Sequence, residues 1–100
     1  MIIDIDAIYN ALANPIRREI LGWLKDPQGN FPDQEMPLEH GVCAGMIDAR
    51  CGQSQSTVSA HLAALQRAGL VSSKRVGPFV FFKRNEAAIQ AFVDHIKADF

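Results

Sequence analysis

With 100 residues the chain has room for one domain, 1–100, and a chain this short hides only about 60 to 70% of its unfolded surface, so burial against a second subunit would add stability. Its 48% apolar and 21% charged residues exclude a disordered chain, and its longest apolar run is far shorter than the roughly 18 residues that cross a bilayer. A formal net charge of -1 excludes a uniformly basic or acidic surface, so an electrostatic partner has to be sought in local segregation of charge.

Residues Met1 to Asp6 carry acid and no basic start, so no secretory signal is read; the chain is expected in the cytoplasm, with Cys43 and Cys51 as reduced thiols. Ile5, Ile8, Tyr9 and Leu12 recur at helical spacing. Asn14 is then placed to cap a second helix whose first position suits Pro15 and whose apolar side is Ile16, Ile20, Trp23 and Leu24. That helix stops at Asp26-Pro27. From Asp26 to Glu39 the text turns Pro- and Gly-rich with four acids and reads as a long surface loop pinned by Phe31, Met36 and Leu38, the functional alternative being a contact with another subunit or a regulator.

Val42 to Cys51 reads as a short helix with Ile47 and Cys51 facing inward and Gly52 as its left-handed stop. Ser54 caps the next helix, where Val58, Leu62 and Leu65 form the inward stripe and Gly69 the end. Two helices joined by so short a turn make a helix-turn-helix. Val71 to Val76 and Phe79 to Arg84 are β-branched and aromatic runs around Gly77-Pro78 and are expected to pair as a hairpin. Asn85 caps a last helix with Ile89, Phe92, Val93, Ile96 and Phe100 on one face, which together with the first helix offers a dimer surface. The fold class is therefore mainly α with a small β-hairpin, a winged helix-turn-helix.

Charge segregates along this order. Residues 49 to 85 hold Arg50, Arg67, Lys74, Arg75, Lys83 and Arg84 and not one acid, while both ends of the chain are acidic. Opposite the inward stripe of the second helix, at about 100° per residue, stand Ser56, Ser59, Ala60, Ala63 and Arg67, with Gln55 in the first turn. Alanines permit close approach to a major groove, and Gln, Ser and Thr offer short hydrogen-bonding groups to base edges. The candidate DNA-binding residues are thus Ser54, Gln55, Ser56, Thr57 and Ser59 on the helix and Lys74, Arg75, Lys83 and Arg84 on the hairpin, the latter holding phosphates. His61, at the edge of the core face, either bonds a phosphate or is satisfied locally. A Ser-rich start alone could merely cap and solvate a helix; the order of short helix, turn, polar-faced helix and basic hairpin favours nucleic acid.

Three runs carry a resemblance: Ala11 to Leu21, reading ALANPIRREIL; Cys51 to Leu62, reading CGQSQSTVSAHL; and Ala64 to Val71, reading ALQRAGLV. They resemble the ArsR-type family of winged-helix regulators over almost the whole chain. The resemblance implies a homodimer built on the first and last helices, each subunit setting its 55–59 segment in a major groove of an inverted-repeat operator on double-stranded DNA, usually to repress transcription. The long loop and Pro78 at the wing tip depart from the family pattern.

Many members of that family sense thiophilic metals through a Cys-x-Cys where this chain has Cys43-Ala44-Gly45, with the second thiol missing. Asp94, His95 and Asp99 on the last helix are the other candidates, but adjacent Asp94 and His95 point about 100° apart. No metal, cofactor or catalytic constellation is read, and no motif specifies a small-molecule effector. Cys43 and Cys51, on one helix about 12 Å apart, do not bridge each other. Cys51 reads as a core hydrophobe and Cys43 as the candidate redox thiol. The main reading is a sequence-specific repressor; the alternatives are a thiol-based regulator using Cys43 and a winged-helix protein-interaction module.

Overall fold

The structure, a computed structural model, describes residues 2–100. Helix α1 (Ile5–Leu12) is capped by the Asp4 side chain, and α2 (Pro15–Trp23) by Asn14, whose Oδ1 accepts from the amides of Ile16 and Arg17. A single turn, α3 (Pro27–Asn30), and a 3-10 turn at Leu38–His40 precede β1 (Val42–Cys43). Then come α4 (Ala44–Cys51), α5 (Gln55–Arg67), β2 (Val71–Val76), β3 (Phe79–Arg84) and α6 (Glu86–Asp99). Gly52 closes α4 at φ 66°, a left-handed geometry that a side chain would resist, and so permits the abrupt turn into α5.

Two sequence expectations are corrected. Val42 and Cys43 are not helical: they pair antiparallel with Phe82 and Phe81, so the hairpin becomes a three-stranded sheet in the order β1-β3-β2. The 26–39 segment is not a bare surface loop either. Phe31 inserts into the core at 3% exposure, and Arg50 lies 4.8 Å over the Trp23 ring and 5.7 Å over Phe31 while bonding the Asn30 carbonyl. Gln34 ties the segment to the sheet by accepting from the Cys43 amide at 2.8 Å and donating to the Gly41 carbonyl at 3.1 Å. Of the three pins read from sequence, Phe31 is buried while Met36 and Leu38 are half-buried.

The core is one cluster in which Ile8, Ile20, Val42, Ile47, Val58 and Leu65 are fully buried. Each such side chain contributes roughly 1.5–3 kcal/mol. That burial fixes the rotation of α5 about its axis, because Val58, Leu62 and Leu65 all enter the cluster. Antiparallel partners share a sheet face. Val71, Ser73, Arg75, Val80, Phe82 and Arg84 therefore lie on the side of α5, where Gln66 donates to Ser73 at 3.0 Å. Ser72, Lys74, Val76, Phe79, Phe81 and Lys83 lie on the other side, where the buried Phe81 ring sits 5.6 Å from His40.

Candidate nucleic-acid interface

Helix α4, the turn at Gly52 and α5 form a helix-turn-helix whose second helix shows three zones. With Val58, Leu62 and Leu65 inward, the outward centre holds Ser56, Ala60, Ala63 and Arg67. One flank, Gln55, Ser59 and Gln66, lines a shallow groove against Val80 and Phe82 of β3. On the other flank, Ala64 and Ala68 share a groove with Ala7, Asn10 and Arg17 of the first two helices.

At the helix start Ser54 is occupied by the fold. Its Oγ accepts from the Thr57 amide at 3.2 Å and shares hydroxyl contacts with Thr57 at 2.7 Å and Ser56 at 3.3 Å. Gln55 and Ser59 are exposed, and neither side chain makes a hydrogen bond among the described residues. Their polar groups are free of partners in the fold. His61 is half-buried and its Nδ1 accepts from Arg17 Nε at 3.1 Å, so the local bond left open by the sequence is made at that nitrogen. Burial first, and the Arg17 charge second, lower its pKa, which keeps the ring neutral at pH 7.

The basic segment does not act as one surface. Arg50 is spent on Trp23 and Phe31. Arg84, read as a phosphate ligand, is turned back into the protein: it pairs with Glu86 at 2.7 Å and donates to the Leu21 carbonyl at 3.4 Å, with its side chain 12% exposed. Lys74 and Lys83 project from the sheet face away from α5, and Lys74 Nζ lies 3.3 Å from His40 Nδ1. Only Arg67 and Arg75 of the six stand exposed on the side of α5 with no hydrogen bond or ion pair among the described residues. Sequence reasoning could not separate these cations because strand register and the ion pair with Glu86 are tertiary facts.

Cys43 is buried on the sheet face that carries Phe81, while Cys51 is half-buried with its pKa raised by burial, then by Asp48 and Glu19. The two thiols lie on different elements, so the single-helix spacing read from sequence does not apply. On α6, His95 Nε2 lies 3.1 Å from Asp99 while Asp94 accepts from Gln90. Among the described residues no three His, Cys, Asp or Glu side chains converge, and no helix is long and apolar enough to cross a membrane.

Residues 43–73, which span β1 to the start of β2, match the family model described as bacterial regulatory protein, arsR family. Over 94 residues the chain is 37% identical to the uncharacterized HTH-type transcriptional regulator YbzH of Bacillus subtilis, a match covering 92% of this chain and 94% of that one. The chain belongs to the arsR family. Two further relatives of this arsR-family chain are the transcriptional activator HlyU of Vibrio cholerae, 29% identical over 87% of this chain and 68% of that one, and the transcriptional repressor SdpR of Bacillus subtilis, 28% identical over 83% and 78%. In three dimensions it is similar, at TM-score 0.66 and 26% identity over 94% of this chain and 77% of the other, to a solved domain of Mycobacterium bovis described as a homodimeric winged helix-turn-helix DNA-binding domain. Its relatives are regulators rather than enzymes, and its fold is a winged helix-turn-helix.

Proposed function

We propose that the protein is a sequence-specific DNA-binding transcriptional repressor that acts as a cytoplasmic homodimer on an inverted-repeat operator. The observation that carries this reading is the outward zone of α5: small side chains at Ser56, Ala60 and Ala63 allow close approach, with unengaged Gln55 and Ser59 beside them. Gln55 offers the amide that pairs with adenine, Ser56 and Ser59 make shorter base contacts, and the start of the helix, which Ser54 caps through the Thr57 amide, meets a phosphate with its remaining backbone amides. Arg75 and Arg67 supply phosphate contacts, whereas Arg84 acts as a strut between β3 and α2. Lys74 and Lys83 reach only backbone that passes behind the sheet.

The homodimer draws on the description of the Mycobacterium bovis domain and on the exposed apolar groups of α1 and α6, Tyr9 at 41% and Val93 at 37%. Repression draws on SdpR, which is described as a transcriptional repressor. Metal control is not part of the reading, because the family's Cys-x-Cys position offers here one buried thiol.

The experiment is fluorescence anisotropy of the protein on its own upstream DNA and on DNA selected from a random pool, at about 0.15 M salt, where screening reaches about 8 Å. Tight, selective binding at two subunits per site is expected. Weak and equal binding to every sequence would replace this reading with an interaction module that meets an acidic partner. A promoter reporter gives the sign, since expression that falls when the protein is removed would make it an activator, as HlyU is described.

A further inference from the structure

The flank of α5 turned away from the hairpin carries a feature that the sequence analysis passed over. Arg17, which lies within the ALANPIRREIL run, reaches across to the reading helix and donates through Nε to His61 Nδ1 at 3.1 Å. It is half-buried, yet no carboxylate lies within 4.0 Å of it among the described residues, in contrast to Arg84 with its Glu86. Arg17 also shares with Arg67 a groove lined otherwise by Asn10 and small alanines, so two arginines border a concavity whose lining includes no acid. A partly desolvated cation without an anion is an unbalanced arrangement that an incoming anion relieves.

The ring beside it orients Arg17. Because Nδ1 accepts from Arg17, the proton of the neutral imidazole sits on Nε2. That nitrogen makes no hydrogen bond among the described residues, and no half-buried or buried side-chain nitrogen or oxygen there is both sealed from solvent and unpartnered, so Nε2–H is an open donor. Arg17 leaves its two terminal nitrogens for a ligand while its Nε is fixed, which is the fork geometry that suits phosphate.

We infer that Arg17 and Arg67 form a phosphate seat that grips the DNA backbone on the wall of the major groove opposite the one met by Arg75, with His61 Nδ1 holding the Arg17 Nε in place. The reading helix is then held from both sides, by α2 and by the sheet, and its rotation in the groove is set by two phosphate contacts rather than one. This rests on the DNA-binding reading above and extends it to residues outside the helix-turn-helix.

The test replaces Arg17 by citrulline through ligation of two segments at Cys43, which keeps the Nε–H bond to His61 and removes the charge. Binding of selected and random DNA is measured across a salt series, with Arg75→Gln as the reference variant and circular dichroism melts as the check on folding. The seat predicts that Arg17→citrulline melts like the wild type, binds both DNAs at least about tenfold more weakly at low salt, and loses about 2 from the slope of log affinity on log salt, about 0.9 for the contact in each of the two subunits. An unchanged slope in Arg17→citrulline, beside a flattened slope in Arg75→Gln, overturns the seat and leaves Arg17 as a strut for His61, with the DNA-binding reading intact. Wild-type protein that binds no DNA overturns both.

Discussion

The bond between Arg17 and His61 requires a neutral ring, and the ring's pKa in the folded protein is pushed below its ordinary value of about 6.5 by burial and by the Arg17 charge. The unfolded chain therefore binds the proton first as pH falls. The stability contributed by this pair is present above about pH 6.5 and is lost as pH drops toward the lowered folded value. Thermal melts should be flat from pH 8 to 7 and decline below 6.5, and His61→Gln, whose amide oxygen can accept from Arg17, should flatten that decline; a decline of the same size in the variant would assign it to other groups. The thiols make a second case. Cys43 is covered and Cys51 is held protonated by burial and by Asp48 and Glu19, so both should react with a disulfide reagent at pH 8 far more slowly in the native than in the unfolded protein. Fast native labelling of Cys43, or oxidant-driven DNA release abolished by Cys43→Ser, would restore the thiol-based alternative.

Among the elements, α5 depends on its first turn. Ser54→Ala removes the cap on the Thr57 amide and should cost about 1 kcal/mol in denaturant melts, with weaker DNA binding from the frayed start. The short strand β1 depends on two devices absent from ordinary strand patterning. Gly41, at φ 110°, would place a Cβ 2.5 Å from the Phe82 carbonyl oxygen, and Gln34 satisfies the Cys43 amide. Gln34→Ala leaves that amide without its partner and should destabilise by about 1 to 3 kcal/mol, whereas Gln28→Ala, at an exposed position in α3, should change little. Equal effects of the two would mean that the 26–41 segment does not brace the sheet. Neither device is legible beforehand: a two-residue strand has no period, and a Gln reaching nine positions along the chain leaves no local mark.

For the molecule as a whole, α1 and α6 meet through the edge-on contact of Tyr9 and Phe92 at 5.5 Å, yet Tyr9 and Val93 on these helices remain exposed, as do Ile2 before α1 and Phe100 after α6. Val93→Asp should shift sedimentation from dimer to monomer and weaken binding to a full operator much more than to a half-site; an unaltered dimer would place the subunit contact elsewhere. The sequence by itself determined the elements that rest on local physics. Asn14, Ser54 and Asn85 cap helices because a short polar side chain beside a helical period has one economical use, and Gly52 and the 71–84 β-runs are equally local signals. It also determined which α5 residues face inward, since that follows from the 3.6-residue period. Only the tertiary structure decided how the acid-free segment's six cations divide, with Arg50 on aromatic rings, Arg84 on Glu86, Lys74 and Lys83 behind the sheet, Arg67 exposed on α5 and Arg75 on the sheet face beside it. The reason is physical: a long cationic side chain has no preference strong enough to fix its partner, and where it ends up is settled by strand register and by the acids and rings that packing brings within reach.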